Sequence, residues 1–209
     1  MRCRLLGSVL LGLFLVTAGC GDAETNPAGL TGGWSTAGCE FSREPVATRV
    51  GNITMPATPP GLEAAMARIE RGGRADFADS YAGLEVDQAG VRAVVYRVPS
   101  AAFDEFVRRA AEDTCVVVRD AAHGLTELTE WHDRVVADLG VWQARGIFIS
   151  TVGARHDGAG VEVGTPDVAG TRDALAAHYG APAPLIFLEQ GPVTPLPRTG
   201  VPTTPPQGG

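Results

Sequence analysis

The chain reads as an α+β protein in which one unit of hairpin, helix and strand occurs twice. Three observations predict this. Apolar and polar residues alternate over Tyr81–Asp87 and again over Arg92–Val98, and then Phe103, Phe106, Val107 and Ala110 recur at helical spacing. The same order returns after residue 147, and placing Pro99 on Pro166 superposes the halves at an offset of 67. Between them Leu128, Trp131, Val135, Leu139 and Trp142 fall at steps of three and four, which predicts one long amphipathic helix over 126–144 joining the repeats. Strands with helices on one side bury their single apolar faces as an α+β sandwich of antiparallel and mixed sheets.

Each element has a local reason. Residues 20–60 read as a tether of Gly, Asp, Asn and Pro to about Gly33, then an extended lead-in holding Pro45, Pro56, Pro59 and Pro60, with one strand over Val46–Ile53. Leu62, Met66 and Ile69 predict a short helix that stops at Gly72-Gly73. Gln88-Ala89-Gly90 turns the hairpin of 81–98, and Pro99-Ser100 ends it and offers a helix N-cap. Cys115–Arg119, rich in Val, is a short central strand. Thr126 caps the long helix, with Glu127 and Glu130 in its first turn. In the second repeat Ile147–Val152 is a strand, Arg155–Gly158 a turn, and Gly160–Gly164 a strand with Val161 and Val163 inward. Asp167 caps a helix that runs through Leu175 and Tyr179 to Gly180, and Leu185–Leu188 is the last strand. The folded domain thus spans 61–190, and a Pro-, Thr- and Gly-rich tail with little to bury occupies 191–209.

Composition narrows the function. The 209 residues are 44% hydrophobic and 20% charged, enough for a real core. All 17 basic residues are Arg, against 24 acids, for a net charge of −7. Such a surface is unsuited to nucleic acid, whose phosphates demand a basic partner. Beyond the N-terminus no apolar run approaches the ~20 residues of a spanning helix.

The N-terminus carries an address. Arg2 and Arg4 precede an apolar stretch, Leu5–Ala18, and small residues lead to Cys20. Val16-Thr17-Ala18-Gly19-Cys20 resembles the lipobox of bacterial lipoproteins, matching at Ala18, Gly19 and Cys20 and departing at Thr17. The resemblance implies a signal peptide over 1–19, lipid on Cys20, and a protein held on the outer face of the cell membrane. An ordinary secretory signal with Cys20 a bystander is the alternative. Together with the Arg-only basicity, the lipobox points to a high-GC Gram-positive, actinobacterial source. Loss of 1–19 leaves 15 Arg against 24 acids, a charge of −9. Cys3 departs with the signal, so Cys39 and Cys115 remain as an even pair in an oxidising compartment. Their disulfide would close a loop of roughly 75 residues and contribute ~4 kcal/mol; two free thiols are the alternative. Leu196-Pro197-Arg198-Thr199-Gly200 matches the sortase pattern LPxTG, but only Val201–Gly209 follows it, so it is read as a coincidence of a Pro-rich tail.

The residues offer little chemistry. Ser35, Ser42, Ser80, Ser100 and Ser150 lie in no GxSxG elbow, and there is no HExxH, P-loop, GxGxxG or Cys/His metal spacing. His132 and Asp133 are adjacent on a helix, about 100 degrees apart, and read as surface residues. His156-Asp157-Gly158 reads as turn chemistry and His178 as a helix-terminal cation. Trp131 and Trp142 read as core. Trp34 either folds back on the domain or marks a contact, and Glu85 and Asp87 form a solvated acidic edge. No catalytic residue, cofactor or metal is therefore expected. An enzyme would need a cleft gathering residues such as Asp87, His132 and His156.

The repeat has a family look. Tyr81-Ala82-Gly83-Leu84-Glu85-Val86-Asp87, the strand 92–98, the helix, Val116–Arg119, Leu125-Thr126-Glu127-Leu128 and the hairpin at Gly160–Gly164 resemble the pro-region of secreted actinobacterial serine proteases of the alpha-lytic type. The resemblance covers about residues 75–190. In that family a catalytic domain follows, which the pro-region helps to fold and then inhibits; the resemblance here implies a stand-alone relative without enzymatic activity. The expected function is a lipid-anchored envelope protein that binds a protein through its strand edges. A trans-acting inhibitor or folding helper of a secreted protease, and a passive structural lipoprotein, are the alternatives.

Overall fold

A computed structural model describes residues 32–180 and 183–192. The signal peptide, Cys20, most of the tether and nearly all of the tail lie outside the described residues. The fold is α+β. A four-stranded sheet, ordered β1-β6-β5-β4, is built from β1 (Gly33–Ser35), β4 (Tyr81–Asp87), β5 (Arg92–Arg97) and β6 (Val116–Asp120). A three-stranded sheet contains β7 (Thr151–Ala154), β8 (Val161–Thr165) and β9 (Leu185–Glu189) in that order. A separate pair is formed by β2 (Val46–Val50) and β3 (Ile53–Ala57). The helices are α1 (Pro60–Asp76), α2 (Ala101–Ala111), α3 (Leu125–Ala137), α4 (Leu139–Ala144) and α5 (Val168–Tyr179).

The two repeats have one topology. β4 pairs antiparallel with β5 and β5 parallel with β6; β7 pairs antiparallel with β8 and β8 parallel with β9. A parallel neighbour requires a crossover, and α2 and α5 provide it. Both crossover helices are capped alike: the Ser100 hydroxyl accepts from the Phe103 N–H, and 67 residues later the Asp167 carboxylate accepts from the Gly170 N–H.

The repeat is longer than the sequence suggests. In α1, Leu62 and Ile69 lie seven apart and are buried; in α3, Leu128 and Val135 do the same. α1 and α2 cover one face of the first sheet through Leu62, Ile69, Phe103, Val107, Val95 and Val118. α3, α4 and α5 cover the second through Val135, Trp142, Leu175 and Val163. The helix expected to join the repeats is therefore the opening element of the second unit, the counterpart of α1.

Four expectations change. The helix at 61–71 does not stop at Gly72-Gly73 but runs to Asp76. A Cβ on Gly72 would meet the Phe106 ring at 2.3 Å and one on Gly73 the Tyr81 ring at 2.6 Å, so these glycines admit close packing instead of breaking the helix. The expected single helix over 126–144 begins at Leu125 behind Gly124, not at Thr126, and is divided at Asp138, whose φ/ψ of −90°/2° leave the α region. The bend places Trp142 fully in the core, where its indole N–H donates to the Tyr179 hydroxyl at 3.2 Å. The strand expected from Ile147 starts only at Thr151, because Ile147 and Ile149 fold in against the second core. The lead-in holds two strands where one was expected, and Gly33–Ser35 joins the sheet, pairing antiparallel with β6.

Candidate functional site

Cys39 and Cys115 are joined by a disulfide, with Cα atoms 4.3 Å apart. The bridge lies beside the end of β1, on a 3-10 turn (Ala37–Glu40). The Thr36 hydroxyl beside it donates to the Thr114 carbonyl at 2.7 Å and accepts from the Val116 N–H at 2.9 Å. Trp34 folds back on the domain: its ring packs against the first core, with the Arg108 guanidinium 4.4 Å from its centre. The indole N–H of Trp34 is buried without a partner. An arginine face-on to a tryptophan is a cation–π contact.

The β1 addition closes one edge of the first sheet and, among the described residues, has no counterpart in the second. β6 lies between β5 and β1, whereas its equivalent, β9, ends its sheet. Register identifies the groups left open. Val161 N–H donates to the Pro184 carbonyl and Gln190 N–H to the Thr165 carbonyl, so the even-numbered residues of β9 face β8. Alternation then turns the backbone groups of Phe187 and Glu189 outward. Phe187 corresponds to Val118, the residue paired with Trp34. Leu188 is 43% exposed. Beside this edge a groove of about 390 Å³ is lined by Arg172, Ala176, Gly180, Leu185, Ile186 and Phe187, with the Arg172 guanidinium 5.6 Å from the centre of the Phe187 ring.

Among the described residues one histidine–acid pair joins the two units. The turn at 155–158 sits on the face of the first sheet away from α1 and α2, where a Cβ on Gly83 would lie 2.3 Å from the His156 carbonyl oxygen. A Cβ on Gly158, at φ +70°, would lie 2.5 Å from the Ala121 Cβ and 2.8 Å from the Ala82 Cβ. Glu85 is not simply solvated: it accepts from the Tyr96 hydroxyl at 2.7 Å and lies 3.1 Å from His156 Nε2. Burial, then the Glu85 hydrogen bond, pushes the Tyr96 hydroxyl up to about 12. Asp157 accepts from the Ala159 N–H, as a turn residue should, and is gripped by Arg155, which also reaches Glu162. Burial works to raise the Asp157 carboxyl, but the Arg155 hydrogen bonds and the Ala159 N–H prevail and hold it below the usual carboxylate range.

Asp87, His132 and His156 have separate partners. Asp87 pairs with Arg92 and accepts from Gly90 N–H, His156 meets Glu85, and His132 Nδ1 lies 2.9 Å from Asp133 Oδ1. Adjacent positions on a helix do meet in this last pair, contrary to the 100-degree expectation, because the side chains bend toward one another on the exposed surface. His178 at the end of α5 lies 3.5 Å from Asp138 and packs edge-on to Trp142. Of the two expected core tryptophans only Trp142 is buried; Trp131 is half-buried beneath Arg134. Among the described residues no three His, Cys, Asp or Glu side chains gather as metal ligands, and no helix is long and apolar enough to cross a membrane.

The fold defines the chain as a twofold α+β repeat protein with a disulfide-bound N-terminal strand. No family model matches the chain, and a search of curated proteins finds no similar sequence.

Proposed function

We propose that the protein is a lipid-anchored component of the cell envelope whose domain captures a protein partner without catalysing a reaction. The observation that carries this reading is the unequal treatment of two equivalent edges. Among the described residues the chain covers β6 with its own strand and sets none on β9. A partner segment adding antiparallel to β9 would use the outward backbone groups of Phe187 and Glu189, with the groove beside Arg172 receiving a side chain.

The test is a photo-crosslinking residue at exposed Leu188 in membranes of the producing cell. One protein adduct is expected. Glu189→Pro, which removes an outward N–H without touching the β8 ladder, lowers its yield at least tenfold with an unchanged thermal transition. No adduct, or equal yield in the proline variant, overturns the reading. Intact mass of the membrane-derived protein tests the anchor: a chain beginning at acylated Cys20 is expected.

The resemblance favours a secreted serine protease as the partner class, the protein then acting in trans as inhibitor or folding helper. The resembling segments form β4, β5, α2, β6, α3 and β8. Stoichiometric inhibition of a secreted actinobacterial serine protease is the expected result, and no inhibition across a panel of them removes this second reading.

A further inference from the structure

Among the described residues the β2–β3 hairpin leaves an apolar composition exposed. It forms its own two-stranded sheet, and of its ten residues all but Ala57 are exposed. Its register sets Val46 opposite Ala57, Thr48 opposite Met55 and Val50 opposite Ile53. Side chains alternate along a strand, so these six share one face. Four are large and apolar, and Val50 and Ile53, flanking the turn, are each 65% exposed. Phe41, 67% exposed, precedes the hairpin. An isolated two-stranded hairpin is marginal in water and gains stability by laying such a face on another surface.

Charge and chain length identify the surface. Arg49 is the one charged residue between Glu44 and Glu63, in a chain that is acidic as a whole. Its guanidinium bonds the Gly51 carbonyl at 3.2 Å, which keeps the cation at the hairpin tip. Twelve residues, or thirteen Cα steps, separate Cys20 from Gly33. Fully extended they reach about 45 Å, so an anchor at Cys20 keeps the first sheet, and the hairpin that leaves it, close to the lipid. Each strand of five residues is about 17 Å long, enough to lie along the boundary between headgroups and acyl chains.

We infer that the Val46, Val50, Ile53 and Met55 face of the hairpin docks on the outer leaflet, with Arg49 toward anionic headgroups, as a second membrane contact beside the lipid on Cys20. The inference rests on the anchored reading above. The hairpin then fixes the domain's orientation, which a single acyl tether leaves free.

The experiment supplies the tether artificially, so that it does not depend on acylation. Gly21–Gly209, which contains every described residue, carries hexahistidine in place of 1–20 and is captured on phosphatidylcholine–phosphatidylglycerol vesicles through a nickel-chelating lipid. An environment-sensitive dye sits on Ile53→Cys, and a control dye on Glu130→Cys, with the native disulfide oxidised. Quenching of the Ile53 dye by lipids labelled in the acyl chain is expected to exceed that of the Glu130 dye at least fivefold. Val50→Asp with Met55→Asp, on exposed positions that leave the core intact, abolishes the difference. Equal quenching at both sites overturns the inference. So does shielding of the Ile53 dye that grows with protein concentration and needs no lipid, which would assign the face to a second copy of the chain. An unacylated native mass would instead remove the anchored reading itself, whatever the vesicles show.

Discussion

Replacing both cysteines of the Cys39–Cys115 bridge with alanine isolates the role of the N-terminal strand. The bridge spans 76 positions. By the chain-entropy relation, closing a loop of that length lowers the entropy of the unfolded chain by about 15 cal/mol/K, or about 4.5 kcal/mol at room temperature. For a domain of this size each kcal/mol moves the melting temperature by about 2–4 °C, so Cys39→Ala/Cys115→Ala is expected to melt about 9–18 °C below the oxidised protein. Calorimetry measures the shift, and reduction of the native protein should reproduce it. Hydrogen exchange locates the loss. The amides of Thr36 and Val116, which join the N-terminal segment to β6, should lose protection first, while the β8–β9 ladder stays protected. A shift below about 3 °C would refute the reasoning, because it would mean that β1 is held by its hydrogen bonds and the Trp34 contacts alone.

Two further outcomes follow from buried charge and buried hydroxyls. The Arg97 side chain is 7% exposed and bonds both Asp104, at 2.7 Å, and Asp120, so Arg97→Gln strands two carboxylates and should cost about 3–5 kcal/mol by denaturant unfolding; a cost near 1 kcal/mol would contradict this. All three tyrosines, Tyr81, Tyr96 and Tyr179, are pushed up to about 12, chiefly by burial. Between pH ~10 and about 12 the unfolded chain therefore binds fewer protons than the folded one. Stability from these neutral hydroxyls is present below pH ~10 and is lost as pH rises toward 12. Phenolate absorbance should stay low at pH 10.5 in the native protein and be largely developed in denaturant; a native titration near pH 10 would be the contrary result.

Period and caps made the second half readable. Ser100 and Asp167 announce their helices because an N-cap needs only a short side-chain acceptor before an apolar stripe, a purely local requirement. Contacts between distant segments were not readable. Gly72-Gly73 looks like a helix stop in one dimension; only the approach of Phe106 and Tyr81 explains why glycine stands there inside a helix. The role of α3 as a counterpart to α1 is not marked by the proline offset of 67, because Leu62 and Ile69 fall 66 residues before Leu128 and Val135. The disulfide could be inferred from counting and compartment, whereas the position of β9 at the end of its sheet among the described residues could not, since pairing order is a property of the folded sheet. The meeting of Glu85 with His156 joins residues 71 apart, beyond the reach of any local pattern.

The disulfide also decides how the domain answers a mechanical load. A pull delivered from the N-terminal side would unzip β1 from β6 one pair at a time, beginning at Gly33 and Arg119. After Ser35 the peeling soon meets Cys39, and tension passes through a covalent bond to Cys115, immediately before β6. Force therefore strips a single short strand and is then arrested. The segment between Cys39 and Cys115, which includes the hairpin, α1 and α2, is shielded from the load as a closed loop.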